Sequence, residues 1–131
     1  MPARGKARAA RGGGTQGLTF DAVRELALSF PGMEEGTSFG TPAFRVRKKF
    51  IARFHEDGES LVVKVEPGVR EVLMQAEPDS CHITDHYAGY PEYMLVRVAS
   101  ARPALVRKLL EDAWRRSASQ RQLAARAQDA D

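Results

Sequence analysis

Between Ala43 and Val65 apolar residues recur at every second position, a spacing that no helix can satisfy. Phe44 and Val46 alternate with Arg45 and Arg47. Phe50, Ala52 and Phe54 alternate with Lys49, Ile51, Arg53 and His55, and Leu61, Val63 and Val65 with Val62 and Lys64. A period of two sends successive side chains to opposite faces of a strand. The breaks at Lys48 and at Glu56-Asp57-Gly58 are too short for crossovers. The segment therefore reads as a three-stranded antiparallel meander with one buried face.

Helical spacing brackets this meander. Thr19 is an N-cap candidate, followed by Phe20, Val23, Leu26, Ala27 and Phe30 on one side of a helix that Pro31-Gly32 stops. Glu34-Glu35-Gly36 reads as a turn and Thr37–Phe39 as a short strand. Pro67 opens a second helix with Val69, Val72, Leu73 and Ala76 inward. Cys81–Thr84 reads as a short strand, residues 85–92 as a turn-rich loop and Tyr93–Val98 as a strand. Pro103 opens a last helix with Leu105, Val106, Leu109, Leu110, Ala113 and Trp114 inward. The order helix, strands, helix, strands, helix implies an α+β fold, a two-layer sandwich of antiparallel sheet covered by helices on one face. A chain of 131 residues suffices for one such domain.

The charge is uneven. Residues 1–17 hold Arg4, Lys6, Arg8 and Arg11, five glycines and no acid, whereas residues 18–117 carry 14 Lys and Arg against 15 Asp and Glu. The first segment has no apolar period and reads as a disordered basic arm, residues 18–117 as the domain, and residues 118–131 as a weakly helical or frayed tail. The lone Cys81 excludes an internal disulfide and a multi-thiolate zinc site. No apolar run approaches the ~20 residues of a membrane span, so a soluble, cytoplasmic protein is expected. There is no nucleophile elbow, zinc-protease helix motif or phosphate-binding loop. No cofactor, metal or catalytic residue is expected.

Two features carry functional content. Period-two sorting puts Arg45, Arg47, Lys49, Arg53, His55 and Lys64 on the outer face of the meander, with Lys48 at a hairpin tip. Such a face suits backbone phosphates, and duplex DNA bound without sequence preference is the first candidate partner. Basic residues also keep exposed strands from pairing with other chains. The second feature is the loop His86-Tyr87-Ala88-Gly89-Tyr90-Pro91. Gly89 is expected to supply an unusual backbone conformation, and His86, Tyr87 and Tyr90 form a candidate ligand loop. Tyr87 and Tyr90 offer flat faces for stacking bases, or else wedge the loop onto the sheet. Alternatives are a protein-interaction or chaperone-like module, for which outer Ile51 and Val62 would be suited, and a small-ligand enzyme around His82 and His86.

The run Glu35-Gly36-Thr37-Ser38-Phe39-Gly40-Thr41-Pro42-Ala43-Phe44-Arg45-Val46 resembles the first signature of the MmcQ/YjbR-like family of small bacterial proteins. Leu61–Val65, His86–Pro91 and the closing Leu110-Glu111-Asp112-Ala113-Trp114-Arg115 follow in the matching order. The resemblance spans about Leu18 to Ser117. It implies a curved antiparallel sheet backed by helices, similar to frataxin-like and secretion-chaperone-like domains and to a double-wing phage transcription-factor domain. The last similarity underlies the family's label as DNA-binding, which is a fold-level analogy. It supplies no catalytic residues, and the basic arm lies outside the family pattern.

Overall fold

The hairpin at Arg47-Lys48 shapes the sheet, because both residues adopt left-handed backbone (φ 54° and 68°). That pair of positive angles makes the tight two-residue turn whose twist matches antiparallel strands. The structure is a computed structural model and describes residues 17–130. The basic arm expected over residues 1–17 lies, except for Gly17, outside the described residues.

Six strands form one antiparallel sheet in the order β1-β2-β3-β4-β6-β5. They are β1 (Met33–Ser38), β2 (Thr41–Val46), β3 (Lys49–Phe54), β4 (Ser60–Lys64), β5 (Cys81–His82) and β6 (Tyr93–Arg97). Glu34-Glu35-Gly36, expected as a turn, belongs to β1 instead. As the edge strand it has Glu34, Glu35, Gly36 and Thr37 exposed, so it lacks the alternation that marks a half-buried strand. The fold is an α+β sandwich. Helix α1 (Phe20–Leu28) and helix α3 (Pro103–Ser117) share the core on one face of the sheet, and α2 (Val69–Ala76) packs beside β5.

Helix boundaries follow local chemistry. Thr19 Oγ1 accepts the Ala22 amide at 3.1 Å and caps α1. All six inward positions expected of α3 are buried. The Trp114 indole, fully buried, donates to the Pro31 carbonyl at 2.8 Å and packs against Phe30. Helix α2 departs from expectation, since Val72 is 64% exposed while Arg70 is buried. The tail read as weakly helical or frayed holds a helix, α4 (Gln120–Ala130). Its start is a reciprocal cap: Gln122 N–H donates to Ser119 Oγ, and Ser119 N–H to the Gln122 side chain. Leu123 and the Arg126 guanidinium, 4.5 Å from the Phe30 ring centre, hold α4 on the core.

Strict alternation fails once, in β3. Phe44 pairs with Ala52 but Arg45 pairs with Phe50, so Ile51 is an extra residue in a bulge. Ile51 thereby joins Ala52 and Phe54 in the main core, and Phe50 moves to the opposite face beside Tyr93. The expected placements of these two residues are exchanged. Ile51→Ala should accordingly lower the unfolding free energy by about 3 kcal/mol. Phe50→Ala, removing a ring that is only partly buried, should cost less, about 1 kcal/mol. Urea denaturation of both variants checks the order, which uninterrupted alternation would reverse.

Candidate functional site

The face of the sheet away from the helices carries a second, smaller apolar cluster. Val62 of β4 and Leu95 of β6 are covered by Tyr87, with Ile83 and Tyr93 beside them. Tyr87 comes from a short 3-10 turn (Asp85–Tyr87) between β5 and β6. The loop that holds it stands on Arg70. Arg70 Nη1 lies 2.9, 2.9 and 3.1 Å from the carbonyl oxygens of Tyr87, Tyr90 and Tyr93, and Nη2 donates to the Ala88 carbonyl. Three of these carbonyls lie in the loop and the fourth, Tyr93, opens β6, so one guanidinium adds donors along the whole loop and ties it to the strand that follows.

A cleft of about 420 Å³ opens between this loop and the tip of the β1–β2 hairpin. Phe50, Val62 and Tyr93 line it from the sheet, Phe39 from the hairpin, and His86, Tyr87 and Tyr90 from the loop, with Arg45 and Arg53 as its cations. None of its lining residues is a carboxylate. Tyr90 is 49% exposed, and His86 lies against it at 5.6 Å between ring centres. The Tyr87 ring is buried, so of the two stacking candidates only Tyr90 has an accessible face.

Arg53 ties floor to rim. Its Nη2 donates to the Tyr87 hydroxyl at 2.8 Å, and Nη1 lies 3.1 Å from Glu56 Oε1 and 3.3 Å from Thr41 Oγ1. Burial opposes its charge, but the bonds to Tyr87 and Glu56 prevail and carry its pKa upward. Glu56 is held below the usual carboxylate range by its own backbone N–H and then by Arg53. Burial pushes the Tyr93 phenol up.

The basic residues expected on one face are dispersed. Arg45 lines the cleft, and Arg53 is buried and ion-paired. Arg47 sits in the hairpin turn and donates to the Ser117 carbonyl at the end of α3, where the helix dipole is negative. Lys48 is exposed beside it. Lys49 pairs with Val46 and so leaves from the helix-facing side, exposed at the hairpin end. A single face gripping phosphates through Arg45, Arg47, Lys49 and Arg53 is not formed, because the positive-φ turn and the bulge interrupt the alternation that would align them. Gly89 has no positive φ and open space around it, so it does not supply the special conformation expected of it. His82 pairs with Leu95, outside the residues that line the cleft with His86, and its Nδ1 is buried without a partner. Burial, then Arg97, lowers the His82 pKa. Among the described residues no group of three or more His, Cys, Asp and Glu could hold a metal, and no helix is long and apolar enough to cross a membrane.

The model of the YjbR family matches residues 28–116, from the end of α1 to the last turn of α3. The chain belongs to the YjbR family. The hairpin tip, the meander and the tyrosine loop all fall inside the matched YjbR region. In fold, the chain is similar to the crystal structure of Deinococcus radiodurans protein DR2400, of domain DUF419. The TM-score is 0.63 at 24% identity, over 79% of this chain and 84% of that one. A search of the curated proteins finds no match.

Three parts of the site in this YjbR chain escape motif reading. Arg70 shares the i, i+3, i+4 stripe with Leu73 and Met74, which is the signal that it points inward. Phe39 precedes Gly40 between two strands, a position where a turn residue is expected. Phe50 reaches the cleft only through the bulge. Arg70→Met should destabilise the protein by about 3 kcal/mol and speed amide exchange over residues 85–93 more than in β2 and β3. Arg70→Lys should not restore either, because an ammonium lacks the planar fork.

Cys81 faces the main core, and burial pushes its thiol up to about 11. Because the folded value is raised, this group favours the fold fully below its ordinary value of 9.0, and that contribution is lost as pH climbs toward about 11. Native protein at pH 8 should resist iodoacetamide, with alkylation appearing only on unfolding in urea. Rapid alkylation of the folded protein would contradict the burial.

Proposed function

We propose that this YjbR-family protein binds single-stranded nucleic acid across the outer face of its sheet. The observation that carries the reading is the cleft itself, with aromatic surface from Phe50, Tyr90 and Tyr93, the Arg45 guanidinium, and no carboxylate in its lining. Unpaired bases stack on aromatic rings whatever their sequence, and a nearby cation holds the backbone. A duplex hides its base faces, and the dispersal of the basic residues leaves few cations for its phosphates. Lys48 and Lys49, unpaired with any acid among the described residues, extend the positive surface along the hairpin. A protein partner is the second reading, favoured by the exposed apolar Phe39 at the rim.

Fluorescence anisotropy with a labelled oligothymidine and a hairpin duplex, using the full chain, tests the choice. The single strand should bind more tightly, and Tyr90→Ala should weaken it roughly tenfold. Contact with two or three phosphates gives a slope of log affinity against log salt near −2, and Arg45→Gln should reduce it by about 0.7. Both variants leave the basic arm unchanged, so a loss reports on the cleft. Binding that is indifferent to both substitutions would remove the cleft from the interaction and leave the protein-partner reading.

A further inference from the structure

Beside the main cleft lies a depression of about 400 Å³ lined by Phe39, Arg53, His55, Glu56, His86 and Tyr87. We propose that it is a guanine pocket, with the base stacked on Phe39 and its paired N–H donors on the Glu56 carboxylate. The proposal rests on the nucleic-acid reading of this face for its class of ligand and adds the base it selects.

Phe39 carries the first half of the argument. It holds a left-handed backbone, φ 54°, which a bulky side chain adopts only at a cost. Its ring is nevertheless 80% exposed, so no burial in the protein compensates that strain. The Arg53 guanidinium lies 5.1 Å from the ring centre and fixes the ring over the depression. A strained, oriented and uncovered aromatic is a platform for another flat group.

Glu56 carries the second half. Its own amide and Arg53 keep it anionic at neutral pH. Arg53 Nη1 at 3.1 Å and His55 Nε2 at 3.5 Å both lie on Oε1, so neither of these side chains occupies Oε2, the oxygen offered to the base. A carboxylate in the wall repels phosphate and rewards a ring edge bearing adjacent N–H groups. Guanine presents two neighbouring donors, N1–H and the exocyclic N–H, on its Watson–Crick edge, and no other base has two adjacent donors there.

The test uses the full chain and labelled oligothymidines of one length carrying a central dG, dA, dC or abasic site, with GMP titrated separately. The dG strand should bind roughly tenfold tighter than the others. Glu56→Gln should erase that preference and leave the affinity of the all-thymidine strand unchanged, with a thermal midpoint confirming the fold. Phe39→Gly should weaken every base-bearing strand roughly tenfold, because the ring is lost, while its midpoint stays level or rises as the backbone strain is relieved. Equal binding of all strands by the wild type, or a dG preference that survives Glu56→Gln, would overturn the pocket. A fall in midpoint with unchanged affinity in Phe39→Gly would make the ring structural and overturn it as well. If no strand binds, the strand reading fails, and GMP then decides separately. Binding of GMP that Glu56→Gln abolishes supports the pocket as a nucleotide site, and no binding of GMP ends it.

Discussion

The outer face of this protein depends on one buried cation that is satisfied almost entirely by backbone. Arg70 reaches from α2 under the β5–β6 connection and gathers the carbonyls of Tyr87, Ala88, Tyr90 and Tyr93. Its one carboxylate contact, Glu71, is largely exposed and adds little. Because the planar fork fixes several carbonyls at once, the loop has a defined shape without regular secondary structure. Tyr87 is thereby laid over Val62 and Leu95, its hydroxyl meets Arg53, and Arg53 in turn steadies Phe39. Helix, loop, sheet and hairpin tip are thus linked through two guanidinium groups.

Much of the architecture was legible because it rests on repetition. The inward face of α3 and most of the meander follow from a period alone, and the Thr19 cap follows from one hydroxyl at one position. The failures fall where a single residue breaks a period. Ile51 adds one position to β3 and sends Phe50 to the other face, and nothing in the string Lys49-Phe50-Ile51-Ala52 distinguishes a bulge from a strand with two adjacent apolar residues. Edge strand β1 lacked a signal because an edge has little to bury. The Ser119–Gln122 cap was visible in principle, but the helix it opens is polar enough that pattern alone undervalues it.

The site was legible in part for a related reason. The loop at His86–Pro91 announces itself by composition, and its position on the outer face follows from the strands beside it. Charge is harder to place. An arginine written on the outer side of a strand has a long stem, and where it ends depends on acceptors from distant segments: Ser117 for Arg47, Tyr87 and Glu56 for Arg53. The count of cations in a stretch of sequence therefore says less about a binding face than the count of cations without such acceptors.

Helix α4 has a consequence of a different kind. It begins two residues after α3 ends and lies beyond the stretch matched by the family model. Its contacts with the core, Leu123 against the cluster and Arg126 over the Phe30 ring, would be weak between separate molecules. Joined through Ala118 and Ser119, the helix instead meets its docking site at an effective concentration on the order of millimolar, so a modest affinity keeps it seated. The C-terminal helix behaves as a tethered ligand of its own domain, and the length of that tether is as much a determinant of its occupancy as the chemistry of the contact.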